Sequence, residues 1–233
     1  MIKQIGFIFI IMAFFVSCQN NREDSSADFE IPDSLKNYQG EVKISSETMD
    51  EFIENVSNPV EMAAVMMELD VPYSNEYIST TDHVDQYITD YKKAVNLGIL
   101  GADLGYLNTY NKTSVVLDYI TAIKDLADDL NVGQFFDFKT LKRYVTNKSN
   151  LDSLMFISVQ SFNQMDEYLR ENNRSSISTL LVTGVWIEAM YQATQIVQHH
   201  PDERIKELIG DQKTIISFVV ALLDNYKRIG FFK

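Results

Sequence analysis

The chain has 233 residues, with 20 Lys and Arg against 33 Asp and Glu, which gives a formal net charge of −13 at pH 7. Hydrophobic residues make up 45% of the chain, enough to build a core, so the composition excludes a wholly disordered protein. An acidic surface without a run of basic residues repels phosphate backbones, which argues against nucleic-acid binding.

The first 17 residues have the pattern of a secretion signal. Lys3 precedes an apolar run over residues 5–15, which is too short to cross a bilayer as a helix. Ser17, a small residue, then precedes Cys18, the only cysteine of the chain, so no intramolecular disulfide can form. This arrangement resembles the lipobox of bacterial lipoproteins. The resemblance implies cleavage before Cys18 and attachment of fatty acyl chains to it; the alternative is an uncleaved anchor or a buried helix.

The pattern divides the chain into three parts. Residues 1–17 are the predicted lipoprotein signal peptide, residues 18–45 hold the lipidated Cys18 and a flexible polar tether, and residues 46–233 form the domain. Residues 22–24 (RED) resemble short charged signals that send some Gram-negative lipoproteins to the cell surface. We therefore expect a lipid-anchored envelope protein at the outer membrane, on either its periplasmic face or the cell surface.

From residue 46 onward, apolar residues recur with helical spacing, and no strand-like alternation is longer than four residues. The sequence predicts an all-α, single-domain bundle of about seven to eight helices. The predicted helices span residues 48–56, 59–69, 81–110, 113–130, 138–145, 150–170, 176–199 and 201–227.

The predicted helices differ in how their apolar residues are distributed. Residues 113–130 carry apolar side chains on one face only, which is typical of an outer helix. Residues 97–107, 180–191 and 215–223 are apolar all round, as helices surrounded by other helices must be. We expect these three segments at the centre of the bundle.

A stripe of small residues follows one face of the predicted helix 81–110. Glycine inside a helix costs about 1 kcal/mol relative to alanine, so several glycines on one face require a compensating gain. Two interpretations are open: a neighbouring helix packs closely against the stripe, or a ligand lies against it. The stripe consists of Ala94, Gly98, Gly101 and Gly105.

Two acidic residues stand among apolar neighbours in the predicted central helices. Asp103 and Glu188 are flanked on their helix surfaces mostly by apolar and aromatic side chains, so we expect both carboxyl groups inside the core. A buried acid needs a hydrogen-bond partner, and nearby tyrosine hydroxyls can supply one. The acids could belong to a buried polar network, or they could face a pocket that binds a cation or a polar ligand. The candidate residues are Asp103, Tyr106, Tyr110, Trp186, Glu188 and Tyr191.

Two short motifs contain these acids. Residues 98–106 (GILGADLGY) and 186–191 (WIEAMY) resemble recurrent motifs of a group of uncharacterised all-helical envelope lipoproteins of Gram-negative bacteria. The resemblance implies a helical envelope domain. It implies no activity and assigns no role to Asp103 or Glu188.

The sequence offers no stronger signal of chemistry. Residues 199–203 (HHPDE) could suggest a metal site, but the same residues suit the end of one helix and the start of the next. We expect no metal and no cofactor. The leading hypothesis is a non-enzymatic binding or interaction module, with a protein partner or a small ligand. The alternative is a hydrolase-like enzyme that uses Asp103 and Glu188 as paired acids.

Overall fold

A computed structural model of the chain describes residues 65–146 and 151–228. The predicted helix over 48–56 and the start of the helix over 59–69 lie outside these residues, as do the signal peptide and the tether. Residues 65–68 are helical, and the chain turns at Asp70, which has a positive φ of 49°.

Seven α-helices make up the described part of the chain, and no strand occurs in it. Two short 3-10 helices, Asn75–Tyr77 and Val84–Gln86, precede the first of these α-helices, and a third, Gly133–Phe135, lies between the second and the third. The prediction of an all-α helical bundle is confirmed. The α-helices are α1 (Asp90–Thr109), α2 (Thr113–Asp129), α3 (Phe138–Thr146), α4 (Leu151–Glu171), α5 (Ser175–His199), α6 (Glu203–Asp211) and α7 (Lys213–Arg228).

Two predicted helix boundaries are wrong. The helix expected from residue 81 begins only at Asp90, because Tyr87 has a non-helical backbone (ψ 85°) and packs, together with Val84, against the core through a 3-10 turn. The single helix expected over 201–227 is divided into α6 and α7 at Gln212. The side chain of Gln212 accepts a hydrogen bond from Trp186 Nε1 at 2.9 Å, which holds the break against α5.

Asparagine ends three helices in the same way. Asn111, Asn131 and Asn173 have φ between 53° and 57°, the left-handed conformation that asparagine tolerates better than most residues. At each turn the following amide bonds to a carbonyl five residues back, as in Lys112 N to Leu107 O at 3.0 Å. Each turn reverses the chain within three residues. These reversals bring α2 back along α1 and α5 back along α4.

The helices α1 and α5 lie side by side at the centre and run in the same direction. Their first turns are joined by an Asp90–Arg174 ion pair at 3.5 Å, and their later turns by a hydrogen bond from Gln192 to Asp103 at 2.9 Å. Between these points the backbones touch. A Cβ on Gly98 would lie 2.0 Å from the carbonyl oxygen of Leu181, and one on Gly184 would lie 2.1 Å from that of Val95.

Many of the buried apolar side chains among the described residues fall into a larger and a smaller group. The larger group fills the space between α1, α2, α4 and α5 and includes Leu107, Leu126 and Leu169, all essentially without solvent exposure. The smaller group lies where residues 66–77 cross the ends of α1, α5 and α6. It consists of Met66, Val71, Tyr77, Tyr106, Ala193, Ile196 and Ile205.

Within residues 65–146 and 151–228, no helix combines the length and the apolar character that a bilayer span requires.

The glycines of α1 provide a direct test of the helix crossing. We expect Gly98→Ala to destabilise the domain by about 1–3 kcal/mol or more, because the added methyl group would overlap the backbone of α5. The matched control is Gly101→Ala, since Gly101 is exposed and no described neighbouring group lies within 4 Å of its Cβ position. That change should stabilise the helix by about 0.5–1 kcal/mol. Urea unfolding measures both; equal effects would contradict the crossing.

Candidate functional site

A nine-residue segment, residues 71–79, lies across α1, α2 and α5; we call it the strap. It has extended backbone at Ser74 and Ile78 and one 3-10 turn between them. The bundle holds it by its main chain. Tyr110 donates a hydrogen bond to Val71 O at 2.8 Å, and Tyr191 donates one to Glu76 O at 3.0 Å.

Two further tyrosines fix the middle and the end of the strap. The hydroxyl of Tyr106 accepts a hydrogen bond from Ser74 N at 3.0 Å and lies 3.2 Å from Ser74 O, to which it donates. The hydroxyl of Tyr119 on α2 donates to Ser79 O. Burial raises the pKa of Tyr106 and of Tyr119 above the ordinary value of 10.0, so both hydroxyls keep their protons and remain donors at neutral pH.

Beneath the end of the strap, two acidic side chains meet inside the protein. Asp103 is 0% exposed and Glu188 is 5% exposed, and their carboxyl groups lie within hydrogen-bonding distance of each other. Asp103 Oδ2 accepts a hydrogen bond from Ser79 N at 3.0 Å, and its Oδ1 accepts one from Gln192 Nε2 at 2.9 Å. The strap, α1 and α5 therefore meet at one carboxyl group.

The environment of this acid pair favours the protonated form. Burial, followed by the charge of Glu188, raises the pKa of Asp103 from 3.8 to about 9, and burial also raises the pKa of Glu188. Neither acid forms an ion pair with a Lys, Arg or His of the described residues. Glu188 Oε1 is buried and has no conventional donor among them. One proton held between the two carboxyl groups would remove one of two buried charges and provide a hydrogen bond between them.

This geometry differs from that of paired glycosidase acids. Those carboxyl groups stand about 5–5.5 Å or about 6.5–9.5 Å apart, which leaves room for a sugar ring or a water molecule. Asp103 and Glu188 are in mutual hydrogen-bond contact, and Ser79 and Gln192 occupy both oxygens of Asp103. The arrangement instead resembles two carboxyl groups that share a proton because both cannot ionise side by side.

The structure brings most of the candidate residues together around the strap. Asp103, Tyr106 and Tyr110 reach it from α1, whereas Glu188 and Tyr191 approach from α5. Trp186 lies elsewhere, because its indole contacts Gln212 at the break between α6 and α7.

The residues of the small-residue stripe also lie in different surroundings. Ala94 is fully buried and Gly98 lies at the crossing with α5. Gly101 and Gly105 turn away from the crossing, and no described neighbouring atom approaches their Cβ positions within 4 Å. Among the described residues, close packing of a neighbouring backbone is therefore seen at Gly98 and not at Gly101 or Gly105.

Three residues of the site were not among the sequence candidates: Ser79, Tyr119 and Gln192. A signal existed for Gln192, which stands four residues after Glu188 on the same face of a helix. Tyr119 lies on the apolar face of the predicted outer helix. That position predicts a buried ring but does not indicate that the hydroxyl forms a hydrogen bond. Ser79 contributes main-chain atoms only, so its residue type carries no signal.

The histidine pair forms a helix junction. His199 Nδ1 lies 2.9 Å from Gln195 O and 3.4 Å from the hydroxyl of Tyr77, and Asp202 caps α6 through the amide of Arg204 at 2.9 Å. Within the described ranges, no group of three or more His, Cys, Asp or Glu side chains could hold a metal ion. Cys18 lies outside the described residues.

Comparison of the chain with protein-family models, with curated proteins and with solved structures gives no match.

The acid pair predicts different effects for two substitutions. Asp103→Ala leaves Ser79 N and the Gln192 amide without an acceptor and isolates Glu188, so we expect a loss of about 3–5 kcal/mol. Glu188→Gln keeps the shape and lets an amide N–H replace the shared proton, so its stability at neutral pH should change by less than about 1 kcal/mol. Urea unfolding of both variants tests this, and equal losses would contradict a shared proton.

The raised pKa also predicts how stability depends on pH. The folded pKa of Asp103, about 9, exceeds its ordinary value of 3.8, so the folded protein keeps a proton that the unfolded chain releases. This contribution is complete below the unfolded pKa and is lost as pH rises towards the folded one. From about pH 5 to about pH 9, wild type should lose up to about 1.4 kcal/mol per pH unit relative to the double variant Asp103→Asn/Glu188→Gln, which lacks both acids. Parallel pH profiles for the two proteins would refute this assignment.

Proposed function

We propose that the chain is a lipid-anchored envelope protein whose helical domain is a non-enzymatic binding module. The anchor is supported by the pattern that ends at Cys18, with a basic start, a short apolar run and a small residue before the cysteine. Several acyl chains on one cysteine give a far firmer membrane attachment than a single chain. The resemblance of residues 98–106 and 186–191 to motifs of helical envelope lipoproteins supports the same location.

The observation that carries the binding assignment is the enclosure of the acid pair. Asp103, the strongest candidate for acid–base chemistry, has no solvent exposure, and both of its oxygens are engaged by Ser79 and Gln192. A catalytic acid must reach its substrate within hydrogen-bond distance. The pair is used to join the strap to the two central helices, which supports a structural role. The binding partner is then a protein of the envelope or a small ligand, met by the outer surface of the domain.

The hydrolase-like alternative makes a separate prediction. If Asp103 and Glu188 were catalytic, Glu188→Gln would abolish turnover while the fold stayed intact. Hydrolysis of glycoside, ester or peptide substrates by the purified full chain, lost in Glu188→Gln, would replace the binding assignment. We expect neither protein to hydrolyse them.

The anchor is tested by expressing the full chain in a Gram-negative host with an alkyne analogue of palmitate. The wild-type protein should take up the label and sediment with membranes, because its thiol carries acyl chains. The matched control, Cys18→Ser, should remain unlabelled and leave the membrane fraction. Equal membrane association of the two proteins, without label, would show an uncleaved anchor instead.

Binding is tested by cross-linking the full chain in intact cells and isolating it from solubilised envelopes. We expect the same partner in repeated isolations of wild type and of Glu188→Gln, because the acid pair is not the contact surface. The Cys18→Ser protein should lose that partner, since it is no longer held at the membrane. Repeated isolation of the protein alone would contradict the binding assignment.

A further inference from the structure

The hydrogen bonds that join the strap to the bundle are formed by the main-chain atoms of the strap. The tyrosine hydroxyls and the Asp103 carboxyl group all bind its main-chain atoms, from Val71 O to Ser79 N. Its side chains Val71 and Tyr77 are buried in the smaller apolar group, whereas the residues between them are partly or fully exposed. Tyr73 and Ile78 also pack on the core, and the Tyr73 ring lies 5.8 Å from that of Tyr106. Because the strap has only one 3-10 turn and is tied by hydrogen bonds that are partly buried or exposed, it can open without unfolding the helices beneath it.

The strap also covers the acid pair, and Ser79 N donates directly to Asp103. With the strap closed, two carboxyl groups touch in a site from which water is excluded, and two negative charges there would be strongly unfavourable. With the strap open, water reaches both carboxyl groups, and each can ionise near its ordinary pKa. Closing the strap must therefore return a proton to the pair.

We propose that the strap is a proton-coupled latch, which closes over Asp103 and Glu188 with uptake of one proton from solvent and opens more readily as the pH rises. The reaction is balanced: two carboxylates and one proton become a pair of carboxyl groups with a single negative charge. Opening releases that proton and uncovers the tyrosine hydroxyls of α1, α2 and α5. The latch would thus make access to this polar surface dependent on pH.

The other groups around the pair do not titrate in its place. Tyr106 from α1 and Tyr119 from α2 have raised pKa values and stay neutral, and Tyr191 and Gln192 from α5 contribute hydrogen-bonding groups. Two acids carried by the strap and the following turn, Glu76 and Asp82, are exposed to solvent. Their negative charges can only increase the repulsion that a doubly ionised pair would feel.

One histidine requires a control of its own. The imidazole of His199 on α5 lies 3.4 Å from the hydroxyl of Tyr77 in the strap, and histidine is the side chain that ordinarily titrates closest to neutral pH. A pH effect on the strap could arise there instead of at the acid pair. The variant His199→Gln replaces the imidazole with a side chain that carries no charge at any pH and still forms hydrogen bonds.

The test is amide hydrogen exchange of the full chain between about pH 5.5 and about pH 8.5, expressed as protection factors, which correct for the intrinsic pH dependence of exchange. The protection of Ser79 N should fall by up to about tenfold per pH unit in wild type and in His199→Gln, because opening releases one proton. In the double variant Asp103→Asn/Glu188→Gln, which carries neither acid, the slope should vanish. At every pH the amide of Leu126, in the core face of α2, should remain better protected than that of Ser79.

Four results would overturn the latch. A flat profile in wild type would show that opening releases no proton. A slope that persists in the double variant Asp103→Asn/Glu188→Gln, or one that disappears in His199→Gln, would place the proton elsewhere. Equal protection of Ser79 and Leu126 would show that the strap opens only when the domain unfolds. If the double variant does not fold, Glu188→Gln and Asp103→Asn are measured singly, and each must reduce the slope. A buried acid paired with Arg170, tested as Asp166→Asn, is the matched control that should leave the slope unchanged.

Discussion

The contact between the carboxyl groups of Asp103 and Glu188 sets the condition that the surrounding structure must meet. Two acids that touch inside a protein, without a described cation nearby, can be accommodated only if they share a proton and if every remaining oxygen finds a donor. The strap supplies one donor through Ser79 N, and α5 supplies another through Gln192. The tyrosines then hold the strap in the position in which its amide reaches the acid. Removal of water from the pair and closure of the strap are therefore the same event.

The crossing of α1 and α5 determines where the acids meet. Because Gly98 and Gly184 let the two backbones touch, the helices stay close enough along the next turns for Asp103 to reach both Glu188 and Gln192. Their parallel direction brings the ends that carry the acids to the same side of the domain. The two α1 glycines that turn away from the crossing do not share this role, so the stripe combines residues with different functions.

The sequence predicts the class of fold because helical periodicity is a local property, and the boundaries that fail are those decided by tertiary contacts. The expectation that residues 215–223 are surrounded by other helices is wrong, since Ile216 and Val220 are 47% and 61% exposed. Tyr87 leaves the helical conformation as it packs on the core, and Gln212 interrupts a helix where Trp186 contacts it. The burial of Asp103 and Glu188 could be expected from their neighbours along each helix. Their contact with each other could not, because it depends on the packing of helices that are about eighty residues apart in sequence. The role of the strap could not be predicted either, because its main-chain atoms form the hydrogen bonds and residue type gives no indication of them.

The most direct measurement is a carbon NMR titration of the Asp103 and Glu188 carboxyl groups in the folded protein. The account predicts that the pair holds one proton at neutral pH and loses it only towards about pH 9, with both carboxyl signals responding together because the groups are coupled. In Glu188→Gln, Asp103 loses the charge of Glu188 but remains buried, so its pKa should fall below that of wild type and stay above the ordinary value. If both carboxyl groups of wild type titrate near their ordinary values and are ionised at neutral pH, no proton is shared, and the account is wrong.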